Sequence, residues 1–200
     1  MVLAFEEAQL QDEIEESSKL EVLRVAGASI GGACYLSQRN SFALNKGRCI
    51  KTANRLGTNE LLLEKGRHLG LPRNQRTCPC CGHGVEDAFH FTMKCSAYRT
   101  ERQRFFDAVE KIINESGEDI FNWRDQSLKE RFAFLHSCGL DPKDDGAEAE
   151  YAQWRKIEVE FYKFSVAIKS RRKEIIKKLP PNSRYDPADL LSDRWGSMSK

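Results

Sequence analysis

Eighteen residues near the middle of the chain, Cys78 to Cys95 (CPCCGHGVEDAFHFTMKC), constrain it more than any other stretch. They contain Cys78-x-x-Cys81, then eight residues before His90, then four before Cys95. Three thiols and an imidazole at this spacing suit a tetrahedral Zn²⁺, because a CxxC turn aims two sulfurs at one point and a second pair closes the sphere. Four protein ligands leave no open position, so the site reads as structural. Pro79 and Gly82 suit the tight turn around the first ligands, and Ser96 can cap a helix starting near Ala97. The expected unit is a small CCHC zinc knuckle, a short β-hairpin leading into a helix. Cys80 and His83 lie close enough to compete for the ion. Cys78 with Cys81 is favoured because adjacent cysteines strain to bind one ion, and His83, between two glycines, reads as a solvated turn residue. The plain alternative is a core holding three cysteines and a satisfied histidine without metal.

Charge is distributed unevenly around this stretch. The formal net charge of +2 conceals seven acidic against two basic side chains in residues 1–38, and thirteen basic against five acidic in residues 39–104. From 105 to 200 the balance is seventeen basic to eighteen acidic. A basic excess around the knuckle is what a phosphate backbone would complement, with release of counterions on binding. The cations nearest the ligands, Arg67, His68, Arg73, Arg76, Lys94, Arg99 and Arg102, are the candidate phosphate contacts. Phe89, Phe91 and Tyr98 are candidates for stacking on a base if they are exposed.

The residues flanking the ligands carry a resemblance. Glu64-Lys65-Gly66-Arg67, Arg76-x-Cys78-Pro79-x-Cys81, Glu86-Asp87-x-x-His90-Phe91, and Cys95-x-x-Tyr98 followed by arginines are together similar to the zinc-binding segment that follows the polymerase domain in LINE-type (non-LTR) retrotransposon reverse transcriptases. The similarity covers about residues 55–110, and Phe161 to Ile176 is similar in pattern to the helix that often closes that family's tail. The resemblance implies a nucleic-acid-binding tail, with RNA or single strands as ligand and a reverse transcriptase core as a partner. The family's polymerase uses a paired-aspartate motif upstream of the zinc segment. Here the one adjacent pair, Asp144-Asp145, lies downstream in a polar loop, so no polymerase is expected. A nuclease would need carboxylates and a lysine at strand ends; Glu158, Glu160 and Lys163 come nearest but lie in a helical pattern.

The rest of the chain predicts a mainly α, helical bundle-like protein. Four segments follow: an acidic N-terminal helix and Gly-rich linker (1–38), a basic helical segment with the knuckle (39–115), C-terminal helices (116–179) and a disordered tail (180–200). Helices are expected over 3–25, 41–56, 97–115, 127–136 and 152–179, with a short one over 60–65 and a polar loop over 141–150. The long helix carries Trp154, Ile157, Phe161, Phe164, Ile168, Ile175 and Leu179 on one stripe, and gathers Lys163, Lys169, Arg171, Arg172, Lys173, Lys177 and Lys178 against Glu174. That cationic run suggests a second phosphate contact or a nuclear-entry signal. His136 and Cys138 lack two further ligands for a second metal site. No apolar run reaches membrane-span length. Cysteines packed into a knuckle rather than spread as pairs fit reduced thiols in the nucleus or cytoplasm. The expected function is non-catalytic nucleic-acid binding; the competing one is a zinc-stabilised protein-interaction scaffold.

Overall fold

The computed structural model of the protein describes residues 2–28, 33–140, 148–180 and 183–191. Its elements are α1 (Val2–Glu16), α2 (Glu21–Ala26), α3 (Cys34–Ser37), α4 (Phe42–Arg55), α5 (Leu62–His68), α6 (Arg99–Ser116), α7 (Leu128–His136), α8 (Glu148–Lys177) and α9 (Pro187–Leu191). Short 3₁₀ turns lie at Arg73–Gln75 and Ser96–Tyr98, and a π-helical turn at His90–Lys94. The mainly α expectation holds.

Local chemistry explains most boundaries. Ser41 caps α4 by accepting from the Leu44 amide at 3.4 Å. Ser127 and Glu130 form a reciprocal capping box that starts α7, satisfying two amides that a helix start leaves without partners. The helix expected over 3–25 is instead two. Ser17 and Ser18 interrupt it, and the Arg24 guanidinium turns back to donate to the carbonyls of Ile14, Glu15 and Ser17 at 3.1, 3.0 and 2.7 Å. These are the carbonyls a helix end leaves free, so Arg24 closes α1 while beginning the next turn of chain.

The thirty-residue α8 is the axis of the core. One side packs on α4 and another on α6. Phe105 of α6 stacks on Phe164 of α8, with centroids 4.9 Å apart and planes 11° apart, and meets Phe161 and Trp123 at 6.0 and 6.3 Å. The approach of α4 to α8 depends on Gly47, where a methyl group would collide with the backbone and Cβ of Tyr162. The knuckle joins the same core: Phe91, Met93, Cys95 and Tyr98 are buried with Val109, Phe161 and Ile168. Phe91 and Tyr98 are therefore core residues, 3% and 0% exposed, and their rings meet edge to face. Neither is available to stack on a base.

Two expectations are corrected. No strand forms among the described residues; the knuckle's hairpin shrinks to a single antiparallel bridge between Thr77 and Val85. The pairing cannot lengthen because the next residue, Glu86, turns its carbonyl to the Leu63 amide, leaving no partner to extend a ladder. The tail expected to be disordered is structured in its described part, residues 183–191. Leu190 is 1% exposed and packs with Leu62 and Ile176, and Lys65 donates to the Leu190 carbonyl at 2.7 Å. Residues 192–200 lie outside the described residues, as do most of the Gly-rich linker and residues 141–147 of the polar loop; Glu148 to Glu150 already belong to α8.

Candidate metal centre

The four residues named by their spacing converge. The ligand atoms of Cys78, Cys81, His90 and Cys95 all lie within 4.8 Å of one another. Cys78 Sγ and Cys95 Sγ are 3.8 Å apart, and Cys81 Sγ and His90 Nε2 are 3.3 Å apart. A tetrahedral ion with metal–sulfur bonds of about 2.3 Å would space two sulfurs about 3.8 Å apart, and a sulfur and an imidazole nitrogen about 3.5 Å apart. The donor set fits a metal ion that favours thiolate and imidazole.

Backbone geometry brings the ligands together. Gly82 donates its amide to the Cys78 carbonyl at 2.9 Å, closing the CxxC turn, and Cys78 donates to the Gly84 carbonyl at 2.9 Å. The Asp87 carboxylate accepts from the His90 amide at 2.6 Å, fixing the start of the turn that carries the imidazole. The Cys95 amide bonds back to the His90 carbonyl at 2.8 Å, so a widened, five-residue turn sets the last two ligands. Such turns are uncommon and concentrate at functional sites. Ser96 does not cap the following helix by its side chain; a 3₁₀ turn leads into α6 instead.

Cys80 and His83 stand outside this four-residue group. His83 is exposed and its Nδ1 faces the Cys81 carbonyl at 2.6 Å. Cys80 comes close to Cys78 and Glu86, but it packs toward Leu62 and Ile176. Glu86 is already committed: its carboxylate accepts from Arg172 Nε and Nη2 at 2.8 and 2.9 Å and from the Leu62 amide at 2.7 Å. Contact with Cys80 and Cys95 pulls the Cys78 thiol well below its ordinary range, whereas the same contact with Cys78 and then burial push Cys95 up. Crowded sulfurs release one proton easily and resist releasing the rest; a bound cation removes that conflict.

The Glu86–Arg172 pair was not read from the sequence. Arg172 sat among the candidate phosphate contacts, yet its side chain is 2% exposed and that of Glu86 0%. The signal was its register, four residues after Ile168 and four before Ile176 on the buried stripe. Others of that run are also engaged: Lys169 pairs with Glu60 at 2.8 Å and Lys163 with Glu160 at 2.6 Å. Lys177 and Lys178 are exposed.

The seven cations near the knuckle divide by role. Arg76 donates to the carbonyls of Leu71 and Leu63. Arg102 donates to the Cys95 carbonyl at 2.7 Å and the Thr92 carbonyl at 3.3 Å, bracing the last ligand. Arg67 holds Ser18 and Glu64, and Arg73 holds Glu21 through Nη1 and Nη2. Lys94, Arg99 and His68 are exposed. Lys94 lies over the Phe89 ring, 5.0 Å from its centroid, and Arg99 has no partner among the described residues. Glu158, the nearest nuclease candidate, is buried against Lys51 at 2.7 Å. His136 and Cys138 do not form a second centre: His136 Nδ1 faces the Phe132 carbonyl and Arg55 donates to the Cys138 sulfur.

No helix among the described residues is long and apolar enough to cross a membrane. No protein-family model matches the chain, and no curated protein or solved structure matches it either.

Proposed function

We propose that the protein is a zinc-stabilised nucleic-acid-binding module without catalytic activity, related in kind to the tails of LINE-type reverse transcriptases, and that RNA or another single strand is its ligand. Zn²⁺ is the ion that the three thiols and one imidazole suit best, and with four protein ligands it would organise the fold rather than activate water. The observation that carries the binding reading is the placement of Lys94 and Arg99. They bracket the last ligand, Cys95, and both are exposed, so the metal would stiffen the backbone that presents them. Lys177 and Lys178 add exposed charge one and two residues after Ile176, which packs in the same apolar cluster as Cys80.

The test is metal analysis together with a titration of the zinc-loaded protein against RNA, single-stranded DNA and duplex DNA at two salt concentrations. Replacing Lys94 and Arg99 with Ala should weaken binding to many sequences alike and reduce the salt slope by about 0.7 for each lost contact to a single strand. Unchanged affinity and slope would sink the reading. The scaffold alternative rests on Leu36 and Phe42, which are 49% and 79% exposed; association that survives high salt and is lost in Phe42→Ser would select it.

A further inference from the structure

A cavity of about 220 Å³ opens between α2, the start of α5, residues 87–89 and α7. Its apolar wall includes Val22, Leu63, Ala88, Phe89 and Phe132, and Val25, 54% exposed, lines it at α2. At a liquid share of about 30 Å³ per water it has room for about seven waters, which suits one small ring system rather than a drug-sized ligand.

Two buried polar side chains line this apolar space. Asn54 is 3% exposed and lines the cavity. Glu64 is also 3% exposed, and its carboxylate has one ion pair, with Arg67 Nε at 3.2 Å. Burial pushes the Glu64 carboxyl above its ordinary pKa, as expected where donors are too few. A small number of polar side chains set in an apolar wall is what orients a ligand in a pocket of this kind. Lys19 and Lys129 also line the opening, and Lys94 lies over the ring of Phe89. Glu21 and Asp87 line the opening too, but Glu21 is paired with Arg73 and Asp87 accepts from the His90 amide. A ligand that combines a flat apolar face, N–H donors on its edge and an attached anion would match the apolar wall, Asn54, Glu64 and the lysines.

We propose that this cavity receives one nucleobase of a bound single strand, reading its edge with Asn54 and Glu64 while Lys19, Lys94 and Lys129 hold the adjoining phosphates. The inference rests on the nucleic-acid reading above and adds a site to it. A carboxylate accepts and cannot donate, so Glu64 favours bases carrying an exocyclic amine; uracil offers only its N3–H, flanked by two carbonyl oxygens that repel a carboxylate. Asn54 can both donate and accept, completing the edge.

The experiment uses the full, zinc-loaded chain. Isotope-labelled protein is titrated with the four ribonucleoside 5′-monophosphates, following the Asn54 side-chain amide and the backbone amides of Ala88 and Phe89. Cytidine, adenosine or guanosine monophosphate should shift them; uridine monophosphate should shift them least. Homopolymer RNAs should bind in the same order, with at least one amine-bearing homopolymer about tenfold tighter than poly(U). Glu64→Gln should erase that preference. Val25→Trp, at an exposed position that leaves the core intact, should block the opening and lower affinity for the preferred homopolymer toward that for poly(U). If no nucleotide moves the Asn54 amide, or if Val25→Trp keeps the full base preference, the pocket proposal falls, whereas a salt slope that still depends on Lys94 and Arg99 leaves the binding reading standing. If nucleotides shift Asn54 while the Lys94 and Arg99 variant binds RNA unchanged, the phosphate assignment of Lys94 and Arg99 fails and the pocket survives. An apolar peptide that shifts these signals where nucleotides do not would make the cavity a protein-docking site and overturn the proposal.

Discussion

Glu158 and Arg172 sit fourteen residues apart on α8, and each meets an opposite charge out of reach of water. At the knuckle end, Arg172 presents a planar fork to Glu86, whose two oxygens accept three N–H hydrogen bonds and one from the Cys78 thiol. At the far end, Lys51 reaches one oxygen of Glu158; the other is 3.8 Å from Arg155 Nη1 and has no hydrogen-bond partner. Burial alone would lower the Arg172 pKa, but Glu86 outweighs it and the group is raised. Burial lowers Lys51 despite Glu158. A guanidinium keeps its charge and direction wherever it is placed; an ammonium with one partner sits closer to neutrality. The knuckle end is therefore fixed in geometry by a pair that will not discharge, and the far end is held by a looser, titratable network that includes Tyr35, with Lys51 4.2 Å from its ring centroid.

The sharpest way to separate the two ends is to deny the candidate ligands an ion. A strong chelator, or Cys78→Ser, should abolish amide protection over residues 78–98, since apparent zinc binding in small sites is on the order of 10 kcal/mol. Protection in α4 and in the first turns of α8 should persist. Unchanged exchange at 78–98 would mean that the knuckle orders itself without an ion.

Next in size is the ion pair beneath the knuckle. Glu86→Ala strands a buried guanidinium and should cost about 3–5 kcal/mol in urea unfolding, with weaker metal retention as well. Glu158→Ala should cost less, because Lys51 can shed its proton. Equal losses for the two variants would mean that the two ends are held alike.

The far end should reveal itself in acid. His136 is 0% exposed, and burial, with Lys51 adding to it, holds its pKa down at about 3. The folded state thus keeps the ring neutral while the unfolded state protonates below about 6.5. Its contribution is fully present above that pH and is lost as pH falls toward 3, with a ceiling of roughly 4–5 kcal/mol by linkage. Unfolding free energies measured at pH 7, 5 and 4 should fall less steeply in His136→Leu than in the parent chain.

Two smaller effects bracket the packing. Gly47→Ala should cost about 1–3 kcal/mol by prying α4 from Tyr162. Arg73→Ala, which breaks a half-exposed pair with Glu21, should cost less than about 1 kcal/mol. A large loss there would show that α2 depends on that pair for its seat beside the knuckle.

How much of this was legible beforehand varies with the kind of signal. The ligand set was readable because metal chemistry fixes residue type and spacing together. Helix boundaries at Ser41 and Ser127 were readable because caps are local. The break at Ser17 was not, since it depends on Arg24 folding back over carbonyls seven to ten residues earlier. Partners remote in sequence were hardest. Cations such as Arg76 and Arg102 look alike in a sequence whether they face phosphate or a neighbouring carbonyl, and only the fold shows that these two are internal. The docked segment 183–191 escaped for the same reason: its polar residues mask Leu190, whose niche, flanked by Tyr185 and Leu191, is built by Ile176 and by Leu62, far away in the sequence.

The separation between Glu86 and Arg172 also has a consequence in time. The two residues lie eighty-six positions apart, and a chain is made from its N-terminus at a few to about twenty residues each second. All four candidate ligands therefore leave the ribosome several seconds before the arginine that seals the space beneath them. During that interval Glu86 has no Arg172 to pair with, and an arriving ion would meet a hydrated, negatively charged vestibule instead of a closed core. Synthesis order alone would make metal capture the early event and burial of the carboxylate the late one.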